Sequence, residues 1–182
     1  MLTGWQVNLA TRSLQLRAGK KGGYEPGFLY SLREGLDEYI HYKNPNIRIA
    51  VNAGGLNPKG LAEEVQSLLR SRGSDKRVAY VTGDNLLSQL EDLDIQPLTR
   101  ATGKFQTWKL KYPEIILANA YIGCWGIVRA LQEGADIVIC GRCTDASTVC
   151  PLSSNGFPVT EHGHPGHGSC SMVAWLEPRR SR

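Results

Sequence analysis

No apolar run in these 182 residues approaches the ~20 that a membrane-spanning helix requires. The opening stretch MLTGWQVNLATRSLQLR has no basic region followed by an apolar core, so no secretory signal and no membrane association are expected. Positive charge is thin as well: the formal balance is +4, and Lys and Arg are scattered apart from Arg179, Arg180 and Arg182. Nothing forms the concentrated basic stripe that nucleic-acid binding rests on, and no nucleic-acid partner is expected. The phosphate-binding loop with its Lys-Ser/Thr, the dinucleotide glycine fingerprint, the GxSxG elbow and a Ser-His-Asp order are all missing. No repeat of fixed period is visible.

The five cysteines are odd in number, and Cys124 and Cys140 fall in segments that read as core helix and core strand. Cysteines in such places are small buried hydrophobes of a reducing compartment. A cytoplasmic chain without disulfides is therefore expected. Apolar content of 41% and charged content of 21% are ordinary for a globular protein and exclude a disordered or coiled-coil reading. The length suits one domain or most of one.

What is present centres on GADIVICGRCTDAS, residues 134–147. Its strand Asp136–Cys140 has no charge after the first position, as in a strand buried on both faces, and it runs directly into a polar loop. Ile47–Asn57 and Arg77–Asp84 follow the same grammar, each a buried strand ending in Gly beside Asn or Asp. Open α/β sheets bind ligands at the carboxyl ends of their strands, so three such ends predict one shared site.

Between these strands the period changes to that of helices. Glu25–Tyr42 carries Phe28, Leu29, Leu32, Leu36, Tyr39 and Ile40 on one face, with Pro26 in the first turn. Pro58–Ser71, capped by Asn57, buries Leu61, Val65, Leu68 and Leu69 and stops at Gly73. Asn85–Leu93 reads as a short helix, Thr99–Leu110 as a hairpin or an excursion, and Ile115–Gln132 as an apolar helix containing Gly123 and Gly126. The alternation predicts an α/β fold: a mostly parallel central sheet with helices on both faces, incomplete at its N- and C-terminal ends. Residues 1–150 would form that partial domain, lacking a first strand, and 151–182 a loosely ordered tail. Edges left open would favour self-association, so a homo-oligomer is expected.

Each candidate site residue carries two readings. Asn52, Gly54, Gly55 and Asn57 form a turn at a helix N-terminus, suited to an anion or needed only to reverse the chain. Gly83 and Asp84 either point into the site, where Asp84 would share the handling of a proton with Asp145, or Asp84 caps the following helix. Arg142 is suited to a bidentate grip on a carboxylate or phosphate, and Asp145, in a sheltered loop, to a general base; alternatively the two pair and pin the loop. Thr144 and Ser147 donate to a substrate or to the loop. Asn119 orients a carbonyl or simply caps the helix. Cys140, Cys143, Cys150, Cys170, His162, His164 and His167 are of zinc-ligand type, but no scaffold fixes their geometry, so no metal is expected.

Together with VNAGGLNPKGLAEEV (51–65), YVTGDNLL (80–87) and ANAYIGCWGIVRAL (118–131), the 134–147 motif resembles the acyclic terpene utilisation (AtuA-like) family over roughly residues 24–150. The resemblance implies a shortened copy of an enzyme of acyclic terpenoid catabolism or tailoring. Its substrate would be an isoprenoid-derived acid or the acyl-CoA thioester of one, with no other cofactor. The alternative is a non-catalytic or degenerate fragment that only binds a partner.

Overall fold

The computed structural model describes residues 2–3, 22–41, 47–93, 115–148 and 172–175. Its strands are β1 (Leu2–Thr3), β2 (Ile49–Val51), β3 (Val78–Thr82), β4 (Ile137–Cys140) and β5 (Met172–Trp175), and its helices are α1 (Gly27–His41), α2 (Pro58–Ser71) and α3 (Trp125–Gln132). The strands form one sheet in the order β1-β2-β4-β3-β5, parallel except for β5, which runs antiparallel to β3. Ile137 of β4 is in register with both Ile49 and Val78, which fixes β4 between β2 and β3.

Strand alternation sorts the core into two layers. Ile49, Val51, Val78, Ile137 and Ile139 face Phe28, Leu32 and Leu36 of α1 and Leu61, Val65 and Leu69 of α2. Ala50, Ala79, Val81, Val138 and Cys140 face Ile127 and Ala130 of α3. Every residue of β2 and β4 is buried, as expected for parallel strands covered on both sides. The chain leaves β2 toward the α1–α2 layer and leaves β3 toward the α3 layer. The middle strand, β4, therefore sits where the winding reverses, the place where α/β sheets open a crevice.

Local chemistry explains the helix ends. The Asn57 side chain accepts the Gly60 N–H at 2.9 Å and caps α2, which starts on Pro58. Gly73, at φ +67°, and Gly134, at φ +92°, supply the left-handed residues that end α2 and α3.

Four expectations need correction. Asn85–Leu93 holds only a single tight turn at Leu87–Gln89, because Asp84 is turned inward and Asn85, not Asp84, accepts the Leu87 N–H. The helix expected over Ile115–Gln132 begins only at Trp125. The preceding residues are held extended by neighbouring backbone: Leu86 N–H donates to Ala118 O, Ala120 N–H to Asp84 O, and Ile122 N–H to Arg142 O. Leu2–Thr3 supplies a strand ahead of β2 where none was expected. Met172–Trp175 pairs with β3 although it lies in the stretch expected to be loosely ordered. The 99–110 excursion and the His-rich 162–170 cluster lie outside the described residues.

Candidate functional site

The loops that follow β2, β4 and β3 emerge side by side at the carboxyl edge of the sheet. They are joined, not merely adjacent. The Gly54 N–H donates to Cys140 O at 3.0 Å, tying the β2 loop to the end of β4. A Cβ on Gly54 would lie 2.6 Å from that oxygen and 2.7 Å from Pro58 Cβ, so only glycine permits the approach. The Gly54 amide is thus spent on the neighbouring strand, which corrects its expected use for a ligand. Gly55, at φ +54°, makes the turn. Asn57 is occupied at both ends of its amide, accepting from Gly60 N and donating to Gly22 O at 2.9 Å. Asn52 is half-buried at the tip of β2.

Asp84 joins the other two loops. Gly83, at φ +111°, turns the chain so that the Asp84 carboxylate is buried, with 3% exposure. Its Oδ2 accepts the main-chain N–H of Arg142 at 2.8 Å and Nδ2 of Asn119 at 3.0 Å. Gly141 makes the room: a Cβ there would stand 2.3 Å from Oδ2. Burial raises the Asp84 pKa above its ordinary value, while the donors from Arg142 and Asn119 oppose the shift and leave it smaller. Asn119 does not open a helix. It lies in the extended 118–122 segment, bridged to Asn85, and its Oδ1 is shut off from solvent with no partner among the described residues.

The Arg142 guanidinium lies against Tyr121. Its Cζ stands 4.6 Å from the ring centroid, and Nη2 donates to the Tyr121 hydroxyl. The expected alternative, an Arg142–Asp145 pair, is not formed: among the described residues no carboxylate pairs with this guanidinium. Asp145 opens the short turn Asp145–Thr148 and is exposed, not sheltered as expected. Thr144 and Ser147 take the loop-internal option, with hydroxyl oxygens 2.5 Å apart.

The structure therefore gathers Asp84, Asn119 and Arg142 into one bonded group and ties Gly54 to it through the end of β4. It leaves Asp145 apart and gives Asn57 a structural task. Sequence reasoning missed Tyr121 and Gly141. Both stand in quoted motifs, but only the fold brings Tyr121 beside Arg142, and only the burial of Asp84 makes Gly141 necessary. Among the described residues no three His, Cys, Asp or Glu side chains are placed to hold a metal ion.

No curated protein and no solved structure matches the chain. The family described as Acyclic terpene utilisation family protein AtuA matches over residues 6–157, past both ends of the 24–150 span that carries the motifs. That match covers most of the chain and takes in every residue of the group built on Asp84, so this protein belongs to the acyclic terpene utilisation (AtuA) family.

Proposed function

We propose that the carboxyl edge of β2, β4 and β3 binds an acyclic isoprenoid-derived acid, or its acyl-CoA thioester, within an enzyme of terpenoid catabolism. Arg142 grips the anionic group, and Asp84 handles a proton beside it. The observation that carries this reading is the Arg142 guanidinium, laid over Tyr121 at the winding reversal with no carboxylate partner among the described residues. A planar cation so held keeps N–H donors for a carboxylate or phosphate, and the ring fixes the plane in which they point. The buried acceptor Asn119 Oδ1 supports the same reading, because a lone polar atom out of water calls for a donor to meet it.

Of the two carboxylates at this edge, Asp84 suits proton transfer better than Asp145. Burial shifts its carboxyl towards the protonated form, whereas Asp145 is exposed. The test is a thermal-unfolding series with a branched unsaturated acid and with its CoA thioester. A ligand binding only the folded state at a hundred times its dissociation constant adds ~2.7 kcal/mol. The wild-type chain should gain stability with at least one of the two, and Arg142→Ala should lose that gain. Equal stabilisation of both proteins would reject the assignment.

A further inference from the structure

Cys140 and Cys143 flank Gly141 and Arg142 at the end of β4, and their Sγ atoms stand 3.7 Å apart. Both side chains are buried, at 0% and 3% exposure, and both belong to the layer that packs on α3. Neither is in a disulfide, so the described state is a dithiol. We propose that Cys140 and Cys143 are a reversible redox pair in which a small peroxide oxidises Cys143 and Cys140 resolves it to a disulfide.

Geometry gives the two sulfurs different tasks. Cys140 Sγ lies within 3.4 Å of Val51 O as well as beside Cys143, and it belongs to the fully buried strand. Its thiol is pushed well above the ordinary range, first by the Cys143 contact and then by burial. Cys143 sits beyond the end of the strand, next to Arg142. Its thiol is lowered, chiefly by the contact with Cys140 and secondarily by the Arg142 charge, which together outweigh burial. The thiolate is the nucleophile toward peroxide, so Cys143, beyond the strand end and beside Arg142, is oxidised first.

In the first step Cys143 sulfur attacks one peroxide oxygen, the O–O bond breaks, and water leaves once the hydroxide takes a proton; Cys143 becomes a sulfenic acid. Cys140 sulfur then attacks the Cys143 sulfur, the S–O bond breaks, and a second water leaves with the Cys140 proton. Two thiols each give up one electron, and one peroxide takes both. The sulfurs close from 3.7 Å to about 2.05 Å. A dithiol reductant reverses the change by exchange.

The folded full-length chain, treated with hydrogen peroxide, alkylated and digested with trypsin, tests this. Trypsin cuts after Arg142 and puts the two cysteines on different peptides. A bridge therefore appears as a linked peptide pair, lighter by two hydrogens than its parts and released by dithiothreitol. Fragmentation should place it at Cys143, since the second peptide also contains Cys150 and Cys170. In Cys140→Ser, dimedone should trap a sulfenic acid on Cys143; in Cys143→Ser neither product should form. Recovery of both wild-type thiols in alkylated form overturns the proposal without recourse to any variant. So does a bridge mapped from Cys140 to Cys150 or Cys170, or a dimedone adduct on Cys140 in the Cys143→Ser chain.

Discussion

Asp84 and Arg142, 58 positions apart in sequence, are joined at 2.8 Å, the Arg142 main-chain N–H donating to Asp84 Oδ2. The same oxygen takes the Asn119 amide. One buried carboxylate therefore sets the turn that carries Arg142 and the segment that carries Tyr121. Asp84→Ala leaves two part-buried donors without their acceptor, and each such loss costs about 1–3 kcal/mol. A destabilisation of about 2–4 kcal/mol in urea unfolding is expected. Asp84→Asn keeps an acceptor oxygen and should cost about 1 kcal/mol or less. Equal losses for the two variants would mean that the donors do not need this acceptor.

Asp84 also gives stability a pH dependence with a definite sign. Burial raises its folded pKa above the ordinary value of 3.8, so the folded chain holds this proton at pH values where the unfolded chain has released it. The contribution is fully present below the ordinary carboxylate value and is lost as pH rises through the folded one. Compared with Asp84→Asn, the wild-type chain should therefore lose unfolding free energy as pH is raised from the ordinary carboxylate value of 3.8 towards neutrality. Denaturant titrations of both proteins across that range decide it. A difference that stays flat, or grows with pH, contradicts the role of burial.

The fold was legible wherever periodicity and punctuation agreed. Pro58–Ser71 has Asn57 and Pro58 at one end, Gly73 at the other and a clean apolar stripe between, and its observed bounds are those expected. The strands β2, β3 and β4 read as buried because uncharged β-branched runs have no other stable place. Residues 115–124 misled for a reason outside their own composition. Their apolar content fits a helix, but pairing with the Asp84 and Arg142 backbones holds 118–122 out of one, and that pairing is tertiary. The site was legible as three strand ends. How they interlock was not: Arg142 on Tyr121 and Gly141 under Asp84 follow from which strand lies in the middle, and no local pattern carries that.

Two glycines bear the joins between loops, and they should respond differently to the same change. Gly54→Ala drives a Cβ to 2.6 Å from Cys140 O and 2.8 Å from Pro58 Cα, both backbone atoms with little freedom to yield. Gly141→Ala meets Asp84 Oδ2 at 2.3 Å, an atom at the tip of a side chain that rotates away at the cost of its hydrogen bonds. Overpacking of this kind costs about 1–3 kcal/mol and more where backbone must shift. Gly54→Ala should be the more destabilising of the two. Gly141→Ala should also abolish the pH dependence that Asp84→Asn removes, since the carboxylate leaves its buried place. Adding Asp84→Asn to Gly141→Ala should then change stability by the same amount at every pH across that range.

Asn57 separates scaffold from site. Its amide caps α2 and reaches Gly22 O, so both ends are engaged within the fold. Asn57→Ala should lower stability by about 1 kcal/mol, with up to about 2 kcal/mol where the second bond is also lost. Ligand affinity measured well below the unfolding transition should be unchanged. A selective loss of affinity at constant stability would return Asn57 to the ligand site.

Arg142 and Tyr121 predict a graded series in ligand binding. Arg142→Lys keeps the charge but loses the planar fork and its stacking on the ring, so affinity for an acidic ligand should fall at least about tenfold, or 1.4 kcal/mol. Tyr121→Phe keeps the ring under the guanidinium and removes only the hydroxyl acceptor, which is worth about 0.5–1.5 kcal/mol net. Its loss should be smaller, roughly two- to tenfold by the same conversion. Tyr121→Ala removes both supports and should approach Arg142→Lys. Tyr121 is 61% exposed, so these changes should leave unfolding free energy within about 0.5 kcal/mol, and affinity then reports the site alone. Calorimetric titration of the four proteins with one acid supplies the order. If Tyr121→Ala binds as tightly as wild type, the ring does not hold Arg142 in its binding pose.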